Sequence, residues 1–398
     1  MSLRAIFIIL FSINLLNYID RQILFAVFPL IQLDLNLTDT QLGLLASVFM
    51  LVYMLIAPFI GYAADRTPRQ IWISLSAFLW SIATMLTALA SDFKHLLTAR
   101  SFIGVGEAGF TSVSPSFLAE KFQKKSRAKV LAFFALALPI GSALGYLLGA
   151  WLGHLFGWRQ AFIIVGLPGV ILAALVFFKI KDTRKTPPRE EKPKAKEYLK
   201  LLKNKPFLFV CLAQAMGTFT LGGLAAWMPT YFHRYFDMSV SYAGTAFGLI
   251  TIIAGAIGTL IGGIVADKLF IKTNKAYFLV SAISFCLAFP FGILALLAHN
   301  TALALVLFAI AIMFVFLQTG PMQAAIVDTT SLKIRSMAFA LNIFIIHALG
   351  DAISPAIIGL LSDFINLKTA VFAAMLFIFP AAIFAFIAAK FYKPLSEI

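Results

Sequence analysis

The sequence predicts an all-α polytopic membrane protein of twelve transmembrane helices in two six-helix halves. Hydrophobic residues make up 61% of the chain and charged residues 12%, against about 45–50% and about 25% in soluble domains. Apolar runs of about 20 residues recur along the whole length, each long enough to cross a hydrocarbon core about 30 Å thick as a helix. They lack period-2 alternation, which excludes a transmembrane barrel.

The first run, 4–30, has no charged n-region followed by a small-residue cleavage site, and is read as a retained helix. Runs at 40–63, 71–91, 95–119, 128–155 and 160–180 complete the first bundle, residues 1–180. The segment "KIKDTRKTPPREEKPKAKEYLKLLKNKP" (179–206) is rich in Lys, Glu and Pro and cannot bury a core. Residues 181–205 are therefore a linker. The second bundle, 206–398, holds runs at 206–233, 240–266, 275–298, 301–328, 334–361 and 369–391. The two cysteines, Cys211 and Cys286, fall inside apolar runs and read as small packing residues.

A net charge of +15 would suggest nucleic acid in a soluble protein, but here the location of the charges decides against it. Of 32 Lys and Arg, 26 lie at the termini or in the even-numbered connections. The positive-inside rule then places both termini in the cytoplasm. The short external connections point to a bacterial inner membrane, and the basic excess adds attraction to anionic membrane lipids.

Against this apolar background a few charges stand out. "NYIDR" (17–21) puts Asp20 and Arg21 inside the first run, and the fourth run carries Arg100 and Glu107. A charge near the bilayer centre costs at least about 2.5 kcal/mol, so a functional role is the default reading. At 1.5 Å per residue, Asp20 lies roughly 24 Å, Arg100 roughly 30 Å and Glu107 roughly 20 Å from the cytoplasmic ends of their helices. Two acids and two bases thus share a layer and sum to zero. Asp20 and Arg21 point about 100° apart and must meet different partners. Asp20 and Glu107 are candidate proton carriers, and Arg21 and Arg100 candidate ligands for an anionic group. A permanent ion-pair network is the competing reading. In the eleventh run "HALGDAISP" sets His347 and Asp351 four apart on one helical face, a second candidate proton site or a packing pair. Phe102, Phe110, Phe117, Phe133 and Phe134 line an acyl-chain pocket, face lipid, or fill the core. "GVGEAG" (104–109) strips bulk from around Glu107, for close packing or for a cavity.

"GYAADRTPRQ" (61–70) resembles the loop motif G-x-x-x-D-R/K-x-x-R/K of major facilitator superfamily transporters, with Pro68 and Gln70 replacing the commoner glycine and basic residue. "GGIVADK" (262–268) repeats it about 200 residues later. Such parallel repeats, with a site at their interface, typify this superfamily. The resemblance implies that Asp65, Arg66 and Arg69 gate the cytoplasmic side, with Gly61 allowing close helix approach. Asp267 in the repeat joins this gating set, as do Asp328 and Arg335 around the tenth-to-eleventh connection. Gly141, Gly145, Gly149 and Gly153 resemble the span-five signature of antiporters and would form part of a sliding contact between halves.

Seven blocks, "NYIDR", 43–66, 100–122, 138–153, "LAAWMPTYF" (224–232), 247–263 and 347–363, look like the spinster family of lipid transporters. This implies a proton-coupled, alternating-access carrier of a lysophospholipid- or sphingolipid-like amphiphile, acting as a monomer without cofactor. Asn17, Tyr53, Phe110 and Trp227 are expected to line its substrate site beside Arg21 and Arg100. A carrier of a small organic anion or drug is the alternative, and a passive channel or scramblase one of another class. No nucleotide-binding G-x-x-x-x-G-K-S/T, metal cluster or nucleophile elbow occurs, so an enzyme is not expected.

Overall fold

In lipid every backbone N–H and C=O must be satisfied internally, and helices do this within one segment. The computed structural model describes residues 2–64, 66–122, 130–131, 133–182, 200–331 and 334–393. Asp65 and most of the 181–205 linker lie outside the described residues. The first bundle holds α1 (Leu3–Ala26), α2 (Phe28–Leu35), α3 (Asp39–Ala64), α4 (Arg69–Thr87), α5 (Phe93–Lys121), α6 (Ala137–Phe156) and α7 (Trp158–Lys179). Next come α8 (Lys205–Tyr235), α9 (Val240–Phe270), α10 (Ala276–Leu297), α11 (Thr301–Leu317), α12 (Thr319–Thr329), α13 (Arg335–Ile346), α14 (Ser354–Phe364), α15 (Leu367–Met375) and α16 (Ile378–Phe391). Eleven helical segments among the described residues are long and apolar enough to cross a membrane. The 29-residue α5, which carries Arg100 and Glu107, is not among them and makes the twelfth crossing.

Several predicted runs are broken where the sequence supplies a reason. The first breaks at Val27, ahead of Pro29, which has no N–H to donate, and continues as α2 to the left-handed Asn36. The tenth breaks at Gln318, before Pro321. The eleventh passes through a π-helical turn, His347–Asp351, in which Gly350 takes φ −110° and ψ −111°, and α14 then starts on Pro355. The twelfth breaks between Met375 and Ile378.

Two compact units emerge: Met1–Arg189 with Ala225–Leu249, and Glu190–Leu224 with Ile250–Ile398. In the first, the glycine ridge of α6 seats α1. A Cβ on Gly141 would lie 2.7 Å from the Leu15 carbonyl oxygen, one on Gly145 2.7 Å from the Ile19 carbonyl oxygen, and one on Gly149 3.0 Å from Ala26 Cβ. The ridge thus faces α1 of the same bundle, which corrects the expectation that it forms part of the contact between halves. Residues 225–249 also meet α6, where Gly244 approaches Ala150 and Ala26 of α1, Gly248 approaches Tyr146, and Tyr146 Oη donates 2.7 Å to the Ala225 carbonyl.

The glycines around Glu107 serve close packing: Gly104 faces the Phe49 carbonyl, Gly106 the backbone of Trp80, and Gly109 the Ser76 hydroxyl. Gly61 has nothing within 4 Å of its would-be Cβ, so it does not supply the close approach expected of it. In the second unit close approach falls to Gly258 and Gly262, where a Cβ would sit 2.1 and 1.8 Å from the carbonyl oxygens of Met313 and Leu317. Cys211 is buried, but Cys286 is exposed and packs no core.

Candidate functional site

The charged layer of the first unit is assembled from α1, α3, α4 and α5. Glu107 is 0% exposed, and Arg21 Nε donates to its Oε2 at 2.5 Å. The Arg21 guanidinium carbon also lies 5.2, 5.1 and 5.0 Å from the ring centroids of Tyr18, Phe49 and Tyr53, an aromatic enclosure suited to a cation. Phe49 serves twice, because the Arg100 guanidinium lies 4.7 Å from the same ring. Arg100 is buried, and its Nε donates to the Leu45 carbonyl at 3.4 Å. Asp20 turns the other way, as its 100° offset from Arg21 requires, and accepts from Thr84 Oγ1 of α4 at 3.2 Å.

The layer is only partly satisfied. Trp80 interacts with Asp20 and Asn17 with Glu107, but Arg100 Nη1 and Nη2 and Arg21 Nη2 are buried without a hydrogen-bond partner. Most buried polar groups are bonded, so this concentration of unused donors marks a place built to interact with something further. Donors on two guanidiniums suit an anionic group, and the two carboxyls can each take a proton.

The other expected substrate residues are spread out. Tyr53 belongs to the enclosure, and its Oη lies 2.6 Å from Thr111 Oγ1. Phe110 is fully buried between Trp80 and Phe134, with centroid distances of 5.5 and 6.4 Å. Trp227 is likewise buried, 5.6 Å from the Phe28 ring. Phe117 and Phe134 are core, whereas Phe102 and Phe133 face outward. Sequence reasoning missed Tyr18, Phe49, Trp80 and Thr84. The available signal was the run of buried hydroxyls, Ser76, Ser81, Thr84 and Thr87, within an apolar helix.

In the second unit the π-helical turn brings His347 Nδ1 to 2.8 Å from Asp351 Oδ1. The pair is part-exposed and backed by Gly222, which leaves room for the Asp351 Cβ.

Among the expected gate residues, Arg69 is buried. Its Nη1 pairs with Glu120 Oε1 at 2.7 Å and its backbone N–H donates to Asp182 Oδ2 at 3.1 Å, tying α4 to the ends of α5 and α7. Arg66 is exposed and folds over the Tyr62 ring at 3.4 Å. In the second unit Asp267 accepts from Tyr277 Oη at 3.4 Å, Arg335 Nη2 donates to the Val327 carbonyl at 3.3 Å, and Asp328 Oδ2 is buried without a hydrogen bond.

Residues 10–355 match the model of the Major Facilitator Superfamily. The chain belongs to that superfamily. Within it the chain is a spinster-type member: it is 33% identical to protein spinster homolog 1 of Xenopus laevis, over 90% of this chain and 72% of that protein. It is 30% identical to the sphingosine-1-phosphate transporter of Xenopus tropicalis, over 89% of this chain and 73% of the relative. The crystal structure of a bacterial homolog to the human lysosomal transporter Spinster, in an inward-facing and unoccupied conformation, superposes with a TM-score of 0.85, covering 98% of this chain and 97% of that one, at 24% identity. This spinster-type protein is accordingly an integral, multi-pass membrane transporter and not an enzyme.

Proposed function

We propose that this spinster-type transporter couples proton movement to the passage of a lysophospholipid- or sphingolipid-like amphiphile by alternating access. The observation that carries the reading is the 2.5 Å Arg21–Glu107 contact in a buried layer that keeps unused guanidinium donors. When Glu107 takes a proton its charge disappears, and Arg21 loses its ion-pair partner while remaining enclosed by three rings. The freed guanidinium then pairs with an anionic headgroup. Proton and anion therefore favour each other's binding at one side chain, which is reciprocal coupling. Asp20, held by Thr84, is the second acid of the layer, Arg100 the second anion ligand, and His347 with Asp351 a second titratable site. The sphingosine-1-phosphate transporter among the relatives supports an anionic amphiphile as cargo.

The protein acts as a monomer in a bacterial inner membrane with both termini cytoplasmic, the orientation that 26 of the 32 basic residues favour. The gradient is the energy source, since one charge moved through 100 mV supplies about 2.3 kcal/mol.

The test is uptake into proteoliposomes under an imposed proton gradient. Asp20→Asn and Glu107→Gln should abolish driven accumulation yet keep counterflow. Driven accumulation by both variants, or its rescue in Asp20→Asn combined with Arg100→Gln, would reduce the layer to an ion-pair network. Competition by lysolipids, and none by small organic anions, is the expected substrate signature.

A further inference from the structure

Away from the charged layer, the outer surface of the first unit carries a hollow of about 310 Å³ between residues 71–78 of α4 and 170–178 of α7. Small residues, Ser74, Ala173 and Ala174, make its floor, and Phe78, Phe177 and Phe178, all exposed, make its walls. The floor is fixed by contacts between the two helices. Ser74 Oγ donates to the Ala173 carbonyl at 2.8 Å, and further along the same pair a Cβ on Gly166 would lie 2.9 Å from the Ser81 carbonyl oxygen. Because Ser74 turns its hydroxyl to that bond, the hollow presents an apolar surface. An unfilled hollow forfeits dispersion contacts, and in a bilayer the chains at hand to fill it are acyl chains.

At one end of the hollow the chemistry changes. Phe178 is followed by Lys179 and, after the buried Ile180, by Lys181; both lysines are exposed and make no ion pair among the described residues. Hydrogen bonds pin this stretch beside the ends of α4 and α5. Lys121 Nζ donates to the Lys181 carbonyl at 3.0 Å, the Asp182 N–H donates to Gln70 Oε1 at 3.0 Å, and the Arg69 N–H donates to Asp182 Oδ2 at 3.1 Å. The nearby acids are already engaged, Asp182 by that N–H and Glu120 by the Arg69 guanidinium. Two ammonium groups therefore stand at the polar end of an apolar slot. Basic residues so placed beside membrane helices attract anionic lipid headgroups, and long lysine stems let the charge reach the headgroup layer.

We infer that this groove binds one anionic phospholipid of the bilayer, with an acyl chain lying in the hollow along α4 and α7 and the phosphate meeting Lys179 and Lys181. The groove is separate from the Arg21–Glu107 layer, so the inference needs neither the proton coupling nor the identity of the transported amphiphile. Its occupant braces α4, whose buried face carries Thr84 and with it the contact to Asp20.

The experiment titrates the full chain, delipidated in a mild detergent, with phosphatidylglycerol or phosphatidylcholine of the same acyl chains, and reads the adducts by native mass spectrometry. The wild type should hold one phosphatidylglycerol about tenfold or more tightly than phosphatidylcholine, as two lysines at the headgroup require. Lys179→Gln combined with Lys181→Gln should bring the two lipids level. Ala174→Phe, a change at an exposed position, should fill the hollow and abolish the tight adduct while the melting temperature of the lipid-free protein stays the same. Lys268→Gln combined with Lys272→Gln removes the same net charge from exposed positions of the second unit and should leave the selectivity intact. Lysophosphatidylglycerol, with the same headgroup and one chain, separates a bilayer lipid from a transported one and should bind the groove more weakly than phosphatidylglycerol. The inference is overturned if the wild type holds phosphatidylglycerol and phosphatidylcholine equally, or if the second-unit control loses selectivity as fully as the Lys179 and Lys181 variant. Retention of the adduct by Ala174→Phe, or tighter binding of the lysolipid, overturns it as well.

Discussion

Replacing Arg21 by glutamine should destabilise the protein more than replacing Glu107 by glutamine, although both remove the same contact. Glu107 is 0% exposed, and the Arg21 guanidinium is its ion-pair partner. Removing one partner of a buried pair leaves an uncompensated charge and typically costs about 3–5 kcal/mol. Arg21→Gln also forfeits the stacking on Tyr18, Phe49 and Tyr53, worth about 0.5–2 kcal/mol per well-placed ring. Glu107→Gln strands Arg21 far less. The side chain is 16% exposed, keeps all three rings, and finds an amide oxygen where the carboxylate was. Its loss should be about 1–3 kcal/mol, the range for a compromised hydrogen bond to a charged group. The difference between the two variants should therefore be about 2 kcal/mol from the charge alone and about 3–4 kcal/mol once the three ring contacts are counted at the low end of their range. Equilibrium unfolding of both proteins in mixed micelles, with the double variant closing the cycle, measures it. If Glu107→Gln proves equally or more destabilising, the aromatic enclosure does not hold the cation and the account of this site is wrong.

Gly262→Ala should destabilise by about 1–3 kcal/mol or more, because its Cβ would meet the Leu317 carbonyl oxygen at 1.8 Å, while Gly61→Ala, with nothing within 4 Å, should be neutral or slightly stabilising; thermal unfolding of the pair reads both. Gly145→Val should separate α1 from α6 and lower the melting temperature, since Ile19 backbone and Gln22 Cβ block the new side chain; an unchanged melt would refute the ridge assignment. Arg69→Ala should cost about 1 kcal/mol, as its partner Glu120 is 47% exposed, and Glu120→Gln should reproduce most of that loss in the same assay. A cysteine at position 190 should resist impermeant maleimide applied outside intact cells, because eleven basic residues between Lys179 and Lys205 favour the cytoplasmic side.

Much of the architecture was legible along the chain because crossing a bilayer is a local property. A run of apolar residues either reaches across about 30 Å of hydrocarbon or does not, and neighbours in space do not change that. Eleven crossings were readable for this reason, while the more polar fourth, like the first, stood out by carrying charge, Arg100 and Glu107 beside Asp20 and Arg21, where charge is expensive. The breaks were less legible. Pro29 and Pro321 signalled two of them, but the π-helical turn at His347–Asp351 depends on Gly350 packing against Thr218 and Ala215 of α8, which no local pattern announces.

Partner choice belonged to the tertiary structure alone. The sequence by itself determined that a neutral layer of two acids and two bases exists within the first and fourth crossings. Folding decided that Arg21 takes Glu107 and that Asp20 takes Thr84. It also set one ring, Phe49, beneath both guanidiniums. Likewise the glycine spacing of α6 determined that some helix would approach closely, and only packing decided that this helix is α1. Asp39 and Arg234 stand 195 residues apart in the sequence, and their pairing appears only in three dimensions. The physical reason is common to these cases. Hydropathy and helical period act over one segment, whereas an ion pair or a close helix contact depends on angles and distances of a few ångströms between segments that the chain order does not specify.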